Sequence, residues 1–416
     1  MASGAFSHPG FRRLAITRFT YSFAVQIQAV VLGWQIYELK HDPLYLGLMG
    51  FVEAVPALIL ALFSGYIVDR GSPIRIYKNL MRFTLLAALI LITNAQGLLG
   101  KGADIQVLWI YAAAFITGCA RGFSSPATYS AIAQLIPREL FVQSSAWFAA
   151  SYQFAMIIGP ALGGLCYAWK GPMLPYLLNL TLLMSAIIAL QPVEKIIEKQ
   201  ARPYIPSKRE PLKEIVSSGF RYVFSDQVLV GSMALDMFAV FFGGVTAILP
   251  VFAADILKVG AVGLGLLRAA PSVGAVMGSL ALIRRPIQKN AGQMLLICVA
   301  GFGFTMIGFG LSKSFALSIF FLWASGVLDS VSMVIRGAIV QLSSPNEMRG
   351  RVTAVNSIFI GSSNELGAFE SGMAAKLLGT VPSVFFGGVL TLVTVTLTAF
   401  YAPKLRKMDL SKIGTV

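Results

Sequence analysis

The sequence predicts an all-α integral membrane protein of about twelve transmembrane helices in two pseudo-symmetric six-helix bundles. Three observations predict this fold. Of the 416 residues, 56% are hydrophobic and only 12% are charged, whereas about a quarter of a soluble domain is charged. Apolar runs of about 20 residues recur along the chain, each long enough to cross a bilayer. A polar stretch near the middle divides these runs into two sets of six.

The apolar runs set the predicted spans. A hydrocarbon layer about 30 Å thick needs about 20 residues of helix, and backbone groups in lipid must find partners within their own segment. We place the spans near residues 14–37, 44–68, 78–98, 107–130, 141–168, 172–191, 228–252, 259–284, 291–311, 314–342, 350–378 and 382–402.

The net charge of +15 is distributed unevenly about these spans. Three basic residues lie within spans, namely Arg121, Arg268 and Arg336. Six lie on one side of the membrane, namely Lys40, Lys101, Lys170, Lys258, Lys313 and Lys376. The rest of the 33 Lys and Arg residues lie on the side that carries both termini. Because cytoplasmic loops carry the excess of Lys and Arg, we expect both termini in the cytoplasm. The excess of basic residues therefore indicates the topology of the chain, and anionic lipid headgroups favour the same orientation. It predicts no nucleic-acid partner.

Cysteine and histidine give no sign of a metal site. Cys119, Cys166 and Cys298 lie within predicted spans and lack metal-type spacing, so we expect them to be packing residues. His8 and His41 are predicted outside the membrane. We therefore expect no metal and no cofactor.

A polar segment at residues 192–227 is predicted to be a cytoplasmic linker between an N-terminal bundle, 1–191, and a C-terminal bundle, 228–416. The two halves contain related sequences, QLIPREL at 134–140 and QLSSPNEM at 341–348. Two related six-helix halves with a substrate site between them are typical of secondary transporters.

Two motifs resemble those of the major facilitator superfamily. Residues 65–75, GYIVDRGSPIR, are similar to its Gly-x-x-x-Asp-Arg-x-Gly-x-Arg signature, although Gly71 follows the arginine directly. Residues 159–164, GPALGG, are similar to a motif of the antiporter members, although Ala146 and Ala155 stand where upstream glycines are usual. The resemblance implies the major facilitator fold.

Four stretches of the second half resemble a bacterial exporter branch that includes enterobactin exporters and macrolide efflux pumps. They are LDMFAV at 235–240, LPVF at 249–252, GLGLLRAAP at 263–271 and MRGRVTAVN at 348–356. The resemblance implies an exporter of the bacterial cytoplasmic membrane, but it says little about the cargo because one fold hosts many cargoes. Together with the embedded acids and the aromatic residues described below, it leads us to expect proton-coupled export of a mid-sized amphipathic molecule, such as a siderophore or drug. The implied partners are the small-molecule substrate, protons and membrane lipids, and we expect a monomer.

The signature motif further implies a cytoplasmic gate. Asp69 is expected near the N-terminal end of span eleven, where the helix dipole favours an anion. Gly65 is expected to let span two pack tightly on a helix of the other half. The alternative is an ordinary solvated turn. The gate residues are Gly65, Asp69, Arg70, Arg75, Arg349 and Arg351, and the helix-packing residues of span five are Gly159, Pro160, Gly163 and Gly164.

Charges within spans usually pair or line a cavity, because insertion of one costs about 2.5–3.5 kcal/mol. Approximate depths, from a rise of about 1.5 Å per residue, favour two pairs. These are Asp236 with Arg336 and Arg268 with Glu370, while Arg121 is expected to face a cavity. The alternative is that such pairs only stabilise the C-terminal half.

Five acidic residues against three basic ones leave two embedded acids without a basic partner. A desolvated carboxylate without a partner favours its protonated form, so it suits proton carriage. The candidates, in order, are Asp329, Glu365 and Glu53.

Aromatic and polar residues within the spans suggest a substrate pocket. A pocket with aromatic walls and a few polar groups suits an amphipathic molecule. Helix packing is the alternative for each residue. The candidates are Tyr21, Gln28, Gln35, Phe238, Phe241, Asn356 and Asn364.

Three other functions remain possible on sequence grounds. A membrane enzyme is disfavoured because the sequence has no nucleophile elbow, His-Glu-x-x-His or phosphate loop. A uniporter or importer of the same fold is the stronger alternative. A receptor that does not transport would need larger loops than these spans leave.

Overall fold

The computed structural model describes residues 4–200, 212–284, 287 and 289–412. Within these residues the chain is helical and contains no strand. The helices before residue 200 are α1 (Pro9–Lys40), α2 (Pro43–Arg70), α3 (Pro73–Ala95), α4 (Ala103–Leu135), α5 (Phe141–Lys170) and α6 (Met173–Gln200). Those after it are α7 (Leu212–Ser225), α8 (Gln227–Gly243), α9 (Leu249–Val251), α10 (Gly260–Arg284), α11 (Ala291–Leu311), α12 (Phe315–Ser343), α13 (Asn346–Leu378), α14 (Thr380–Tyr401) and α15 (Pro403–Arg406).

The helices confirm the all-α membrane fold. Ten helical segments of the described residues are long and apolar enough to cross a membrane. Two further helices, α1 with 32 residues and α13 with 33, have the length but more polar residues. Together they make the twelve spans that the sequence predicts.

Span seven departs from the single continuous helix that we predicted. Helix α8 ends at Gly243, a 3-10 turn covers Thr246–Ile248, and α9 continues into a π-helical turn at Phe252–Ile256. The hydrophobic run is uninterrupted here, so hydropathy alone does not reveal the break.

The linker also contains more helix than a polar stretch suggests. Helix α6 extends to Gln200, and α7 occupies Leu212–Ser225. Residues 201–211 lie outside the part of the chain that the structure describes.

Two compact units divide the chain. The first comprises Met1–Tyr204 and Lys258–Ala269, and the second comprises Ile205–Leu257 and Ala270–Val416. The domain boundaries at 191 and 228 stay a prediction.

The two units repeat one packing pattern. In the first unit α1 packs on α5 and α6, and α3 packs on α4 and α6. In the second unit α8 packs on α13 and α14, and α11 packs on α12 and α14. Each unit has its own apolar core, formed around Phe11, Tyr77 and Met81 in the first and around Leu229, Leu295 and Leu405 in the second.

Helix α10 contributes to both units. A Cβ added at Gly265 would lie 2.5 Å from the Pro160 carbonyl oxygen of α5, within the first unit. One added at Gly274 would lie 2.0 Å from the Trp323 carbonyl oxygen of α12, within the second. Since only glycine permits so close an approach of two helix backbones, glycines fix both halves of α10 against their neighbours.

Candidate functional site

A buried ion pair joins α8 and α12 in the second unit. The Arg336 Nη1 donates to Asp236 Oδ2, as the sequence predicts. The two residues are only 8% and 6% exposed. Arg336 Nε is also buried and has no hydrogen-bond partner among the described residues, so Asp236 is the main compensation for the guanidinium charge.

Asp329 lies beside this pair. It is two turns before Arg336 on α12, which corresponds to about 10 Å along the helix. Asp236 and Asp329 line one cavity of about 10 Å³ together with Ser332, which is roughly the room that one water molecule needs. Asp329 makes no hydrogen bond or ion pair within the described ranges.

The break in span seven lies against α13. Ser371 Oγ donates a hydrogen bond of 2.6 Å to the Gly244 carbonyl oxygen, which satisfies a backbone acceptor that the helix end leaves open. Glu370, the preceding residue, is half-buried. Where the structure describes the chain, its carboxylate has neither a hydrogen-bond nor an ion-pair partner.

The predicted pair between Arg268 and Glu370 is wrong for the described structure. Arg268 Nη1 instead donates a hydrogen bond of 2.8 Å to the Ala29 carbonyl oxygen of α1, within the first unit. Helix depth placed the two charges at one level, but depth does not determine the direction in which a side chain leaves its helix.

Glu53, the third proton-carrying candidate, has a basic partner. Arg121 Nη1 of α4 donates to Glu53 Oε1 of α2 over 3.0 Å. The Arg121 side chain is 41% exposed, and a cavity in front of it stays a prediction. This pair makes Glu53 the weaker candidate for proton carriage.

The polar candidates on α13 differ in their surroundings. Glu365 and Asn356 are half-buried, and Asn364 is exposed. The Asn364 amide donates to the Ile360 carbonyl oxygen of its own helix over 2.9 Å. Their roles stay a prediction.

The three predicted pocket residues of α1 make hydrogen bonds inside the first unit. Tyr21 Oη lies 3.3 Å from Thr84 Oγ1. Gln28 Nε2 donates to Thr117 Oγ1 over 3.1 Å, and the Tyr176 hydroxyl donates to Gln35 Oε1. The sequence analysis missed these partners on α3, α4 and α6, which favour a packing role for this stripe.

The aromatic candidates lie beside a cavity of the second unit. Phe238 and Phe242 stack with ring centroids 6.2 Å apart, and Phe241 contacts Phe242 edge-on at 5.0 Å. Phe238 and Phe242 line a cavity of about 520 Å³ between α8 and α14.

The N-terminal gate residues have only partly the surroundings that we predicted. No heavy atom of the described residues lies within 4 Å of a Cβ added at Gly65. The packing of Gly65 on a helix of the other half stays a prediction. The Arg70 guanidinium lies 4.2 Å from the centre of the Tyr66 ring. Arg75 Nε contacts Glu194 Oε1 at 3.4 Å. The side chain of Asp69 lies outside the described part.

The C-terminal gate residues lie in the first two turns of α13. Arg349 is exposed, and Arg351 Nη1 donates to Ser218 Oγ of α7 over 2.8 Å. Sequence reasoning missed Ser218 because the linker was assigned no contact with span eleven.

The glycines of span five are close-packing points in the first unit. Added Cβ atoms would lie 2.7 Å from the Gln26 Cβ at Gly159 and 2.7 Å from Val30 at Gly163. At Gly164 the distance to the Ala261 carbonyl oxygen of α10 would be 2.2 Å. Pro160 lies inside the same helix.

Comparison with known families identifies the chain. Residues 2–414 match the family described as transmembrane secretion effector, which covers the twelve spans and the sites above. The chain belongs to this family. It is therefore a multi-pass membrane transporter of the major facilitator type and not an enzyme.

Relatives that the chain resembles over nearly its whole length are exporters. It is 26% identical over 417 residues to the enterobactin exporter EntS of Shigella boydii serotype 18, with 95% of this chain and 94% of the relative covered. The enterobactin exporter EntS of Escherichia coli O81 matches with the same identity and coverage.

Solved structures show the same fold for this chain. A bacterial homologue of the iron transporter ferroportin, in an inward-facing state, matches with a TM-score of 0.72 at 14% identity, covering 96% of this chain and 99% of that one. A D-xylose-proton symporter matches with a TM-score of 0.70 at 14% identity, covering 98% and 100%.

Proposed function

We propose that this transporter is a secondary active exporter that exchanges protons for a mid-sized amphipathic molecule, such as a siderophore or a drug. The observation that carries the proposal is that Asp236, the ion-pair partner of Arg336, lines one small cavity of the second unit together with Asp329. The name of the relatives, enterobactin exporter, supports both the export direction and the siderophore class.

Asp329 is the proposed proton carrier. A desolvated carboxylate without a partner favours its protonated form, and Asp329 shares its cavity with the carboxylate of Asp236. With Asp329 protonated, the cluster contains one negative and one positive charge. With Asp329 ionised, a second negative charge lies near Asp236 and competes for Arg336, which is costly away from water.

The protonation state of Asp329 is thereby linked to the packing of α8 against α12. Loss of the Asp329 proton weakens the hold of Asp236 on Arg336, so the contact between α8 and α12 changes with each proton bound or released. Export then follows when protons move into the cell as the cargo moves out. Glu370 is a second candidate carrier, because it is half-buried and has no partner among the described residues.

The helix geometry supports a moving transporter core. Discontinuous helices are typical of transporter binding sites, and span seven is interrupted between Gly243 and Leu249. The uneven distribution of Lys and Arg supports cytoplasmic termini in the bacterial cytoplasmic membrane.

A vesicle assay tests the proposal. Everted membrane vesicles containing the wild type should accumulate enterobactin when their interior is made acidic, and a protonophore should abolish the accumulation. Asp329→Asn should lose the dependence on the pH gradient while it still exchanges labelled for unlabelled enterobactin, because cargo contacts and proton carriage are separate roles. Asp104→Asn is the matched control, since the Asp104 side chain is 88% exposed.

Each result bears on a different part of the proposal. Gradient-driven accumulation by Asp329→Asn would exclude Asp329 as the carrier, and the same experiment on Glu370→Gln would then examine the second candidate. Wild-type transport that ignores the pH gradient would indicate a uniporter. Failure of the wild type to move enterobactin at all would contradict a siderophore cargo of this kind.

A further inference from the structure

An apolar groove runs between α8 and α14 of the second unit. The two helices touch at both ends of it. A Cβ added at Gly231 would lie 3.1 Å from the Ala402 Cβ, and one added at Gly387 would lie 2.1 Å from the Phe242 carbonyl oxygen. Along one face of the helix pair, the residues between these contacts line a cavity of about 520 Å³.

The walls of the groove are apolar and exposed. Phe238, Leu390, Val393 and Leu397 are 40–51% exposed, and all of them line the cavity. In a chain that crosses a membrane, such surface is compatible with lipid chains. The lining residues Gln227 to Phe242 extend about 22 Å along α8, which exceeds the roughly 15 Å of hydrocarbon in one leaflet.

One end of the groove is basic. Helix α15 follows α14 directly, and its Leu405 is fully buried, which fixes the helix at this end. Lys404, Arg406 and Lys407 are exposed there. Their side chains make no hydrogen bond or ion pair with any residue in the described part.

Polar contacts hold this end of the groove in shape. Gln227 Nε2 donates to the Tyr401 carbonyl oxygen over 2.9 Å, and Gln227 Oε1 accepts from the Lys404 backbone N–H over 3.3 Å. Tyr401 is 70% exposed, as expected of an aromatic residue at a membrane–water boundary. The basic residues and the apolar groove are therefore joined by a fixed turn.

We propose that this groove binds one anionic phospholipid, with an acyl chain along α8 and α14 and the phosphate at the basic end. The apolar walls match the chain, and the three unpaired cations match a headgroup with a net negative charge. A zwitterionic phospholipid offers the same chain but no net charge, so it should bind more weakly. The proposal concerns a lipid site on the second unit and is independent of the cargo and of proton coupling.

Native mass spectrometry of the purified full-length chain tests the site. Phosphatidylglycerol and phosphatidylcholine with identical acyl chains are added in turn to the protein in detergent. The wild type should retain one phosphatidylglycerol and prefer it by at least about tenfold, since each basic residue near the headgroup contributes about fivefold.

Two kinds of variant separate the chain contact from the charge contact. Thr394→Trp should fill the groove and remove binding of both lipids, because Thr394 lines the cavity. Thr396→Trp is the matched control, because Thr396 is exposed on the same helix and does not line it. Each threonine hydroxyl donates to the carbonyl oxygen four residues before it, so the two changes remove the same local bond.

Combined replacement of Lys404, Arg406 and Lys407 by Gln should remove the preference for phosphatidylglycerol but keep weak binding of both lipids. Its control replaces Arg12 and Arg13, which are exposed at the start of α1, and should bind like the wild type.

A second groove-filling variant is available if Thr394→Trp does not fold. Ala234→Trp fills the groove from the opposite wall, on α8. Equal affinity of the wild type for both lipids, or retained lipid in a folded groove-filled variant, would overturn the proposal. So would a dimer that the groove-filling change dissociates, since a second copy would then occupy the groove.

Discussion

At the residue scale, Asp236 and Arg336 depend on each other because both are buried in the second unit. Asp236→Asn leaves the guanidinium without its ion-pair partner, and loss of one member of a buried pair costs about 3–5 kcal/mol. We expect a low yield of folded protein and a lower thermal midpoint in detergent. Asp104→Asn, which changes an exposed partner of Lys40, should leave both measurements near the wild-type values.

A double variant checks the physical reason for this effect. Asp236→Asn combined with Arg336→Gln removes the unpaired charge as well as the pair, so it should recover part of the lost stability. Wild-type stability of Asp236→Asn alone would show that the pair contributes little.

The same residues show what sequence spacing can and cannot predict about the site. Helix rise placed Asp236 level with Arg336, and the structure joins them. It also placed Arg268 level with Glu370, but Arg268 bonds to the Ala29 carbonyl. The depth of a residue in the membrane follows from its position along the helix. The direction of its side chain depends instead on how the helix is rotated within its bundle. Spacing within one helix does not determine that rotation.

At the element scale, span five depends on glycine where it meets α10. A Cβ at Gly164 would lie 2.2 Å from the Ala261 carbonyl oxygen, a backbone atom that cannot move without its helix. Gly164→Ala should therefore lower the thermal midpoint, with a cost of about 1–3 kcal/mol as for other overpacked sites. Differential scanning fluorimetry of the purified variant measures this change.

Gly337→Ala on α12 is the matched control for the change at Gly164. No heavy atom lies within 4 Å of a Cβ added at Gly337, and alanine is favoured over glycine in a helix by up to about 1 kcal/mol. We expect an unchanged or higher thermal midpoint. If both variants behaved alike, close packing would not be the reason for glycine at position 164.

The position of span seven was predicted from the sequence, but the break within it was not. Residues 228–252 are apolar apart from Asp236 and a few small polar residues, so hydropathy predicts one helix. The adjacent pair Gly243 and Gly244 is the local signal of a break, since glycine weakens a helix interior. The compensating donor, Ser371 Oγ, is distant in sequence and cannot be found by reading this element alone.

At the scale of the whole molecule, the fold followed from the sequence more fully than the site did. Twelve spans and two related halves depend on hydropathy and length, which each segment carries in its own residues. The division of α10 between the units depends instead on contacts such as that of Gly265 with Pro160. Local composition does not specify such contacts.

The orientation of the whole chain is tested at the two ends of α11. Lys289 and Lys313 are both exposed and lie just outside opposite ends of this helix. The charge distribution predicts that Lys289 faces the cytoplasm and Lys313 the opposite side. In a chain whose three native cysteines are replaced by alanine, Lys313→Cys should react with an impermeant maleimide in intact cells. Lys289→Cys should react only after the membrane is permeabilised, which also shows that the introduced thiol is accessible. Labelling of Lys289→Cys but not Lys313→Cys in intact cells would reverse the orientation and, with it, the side from which Asp329 is proposed to receive its proton.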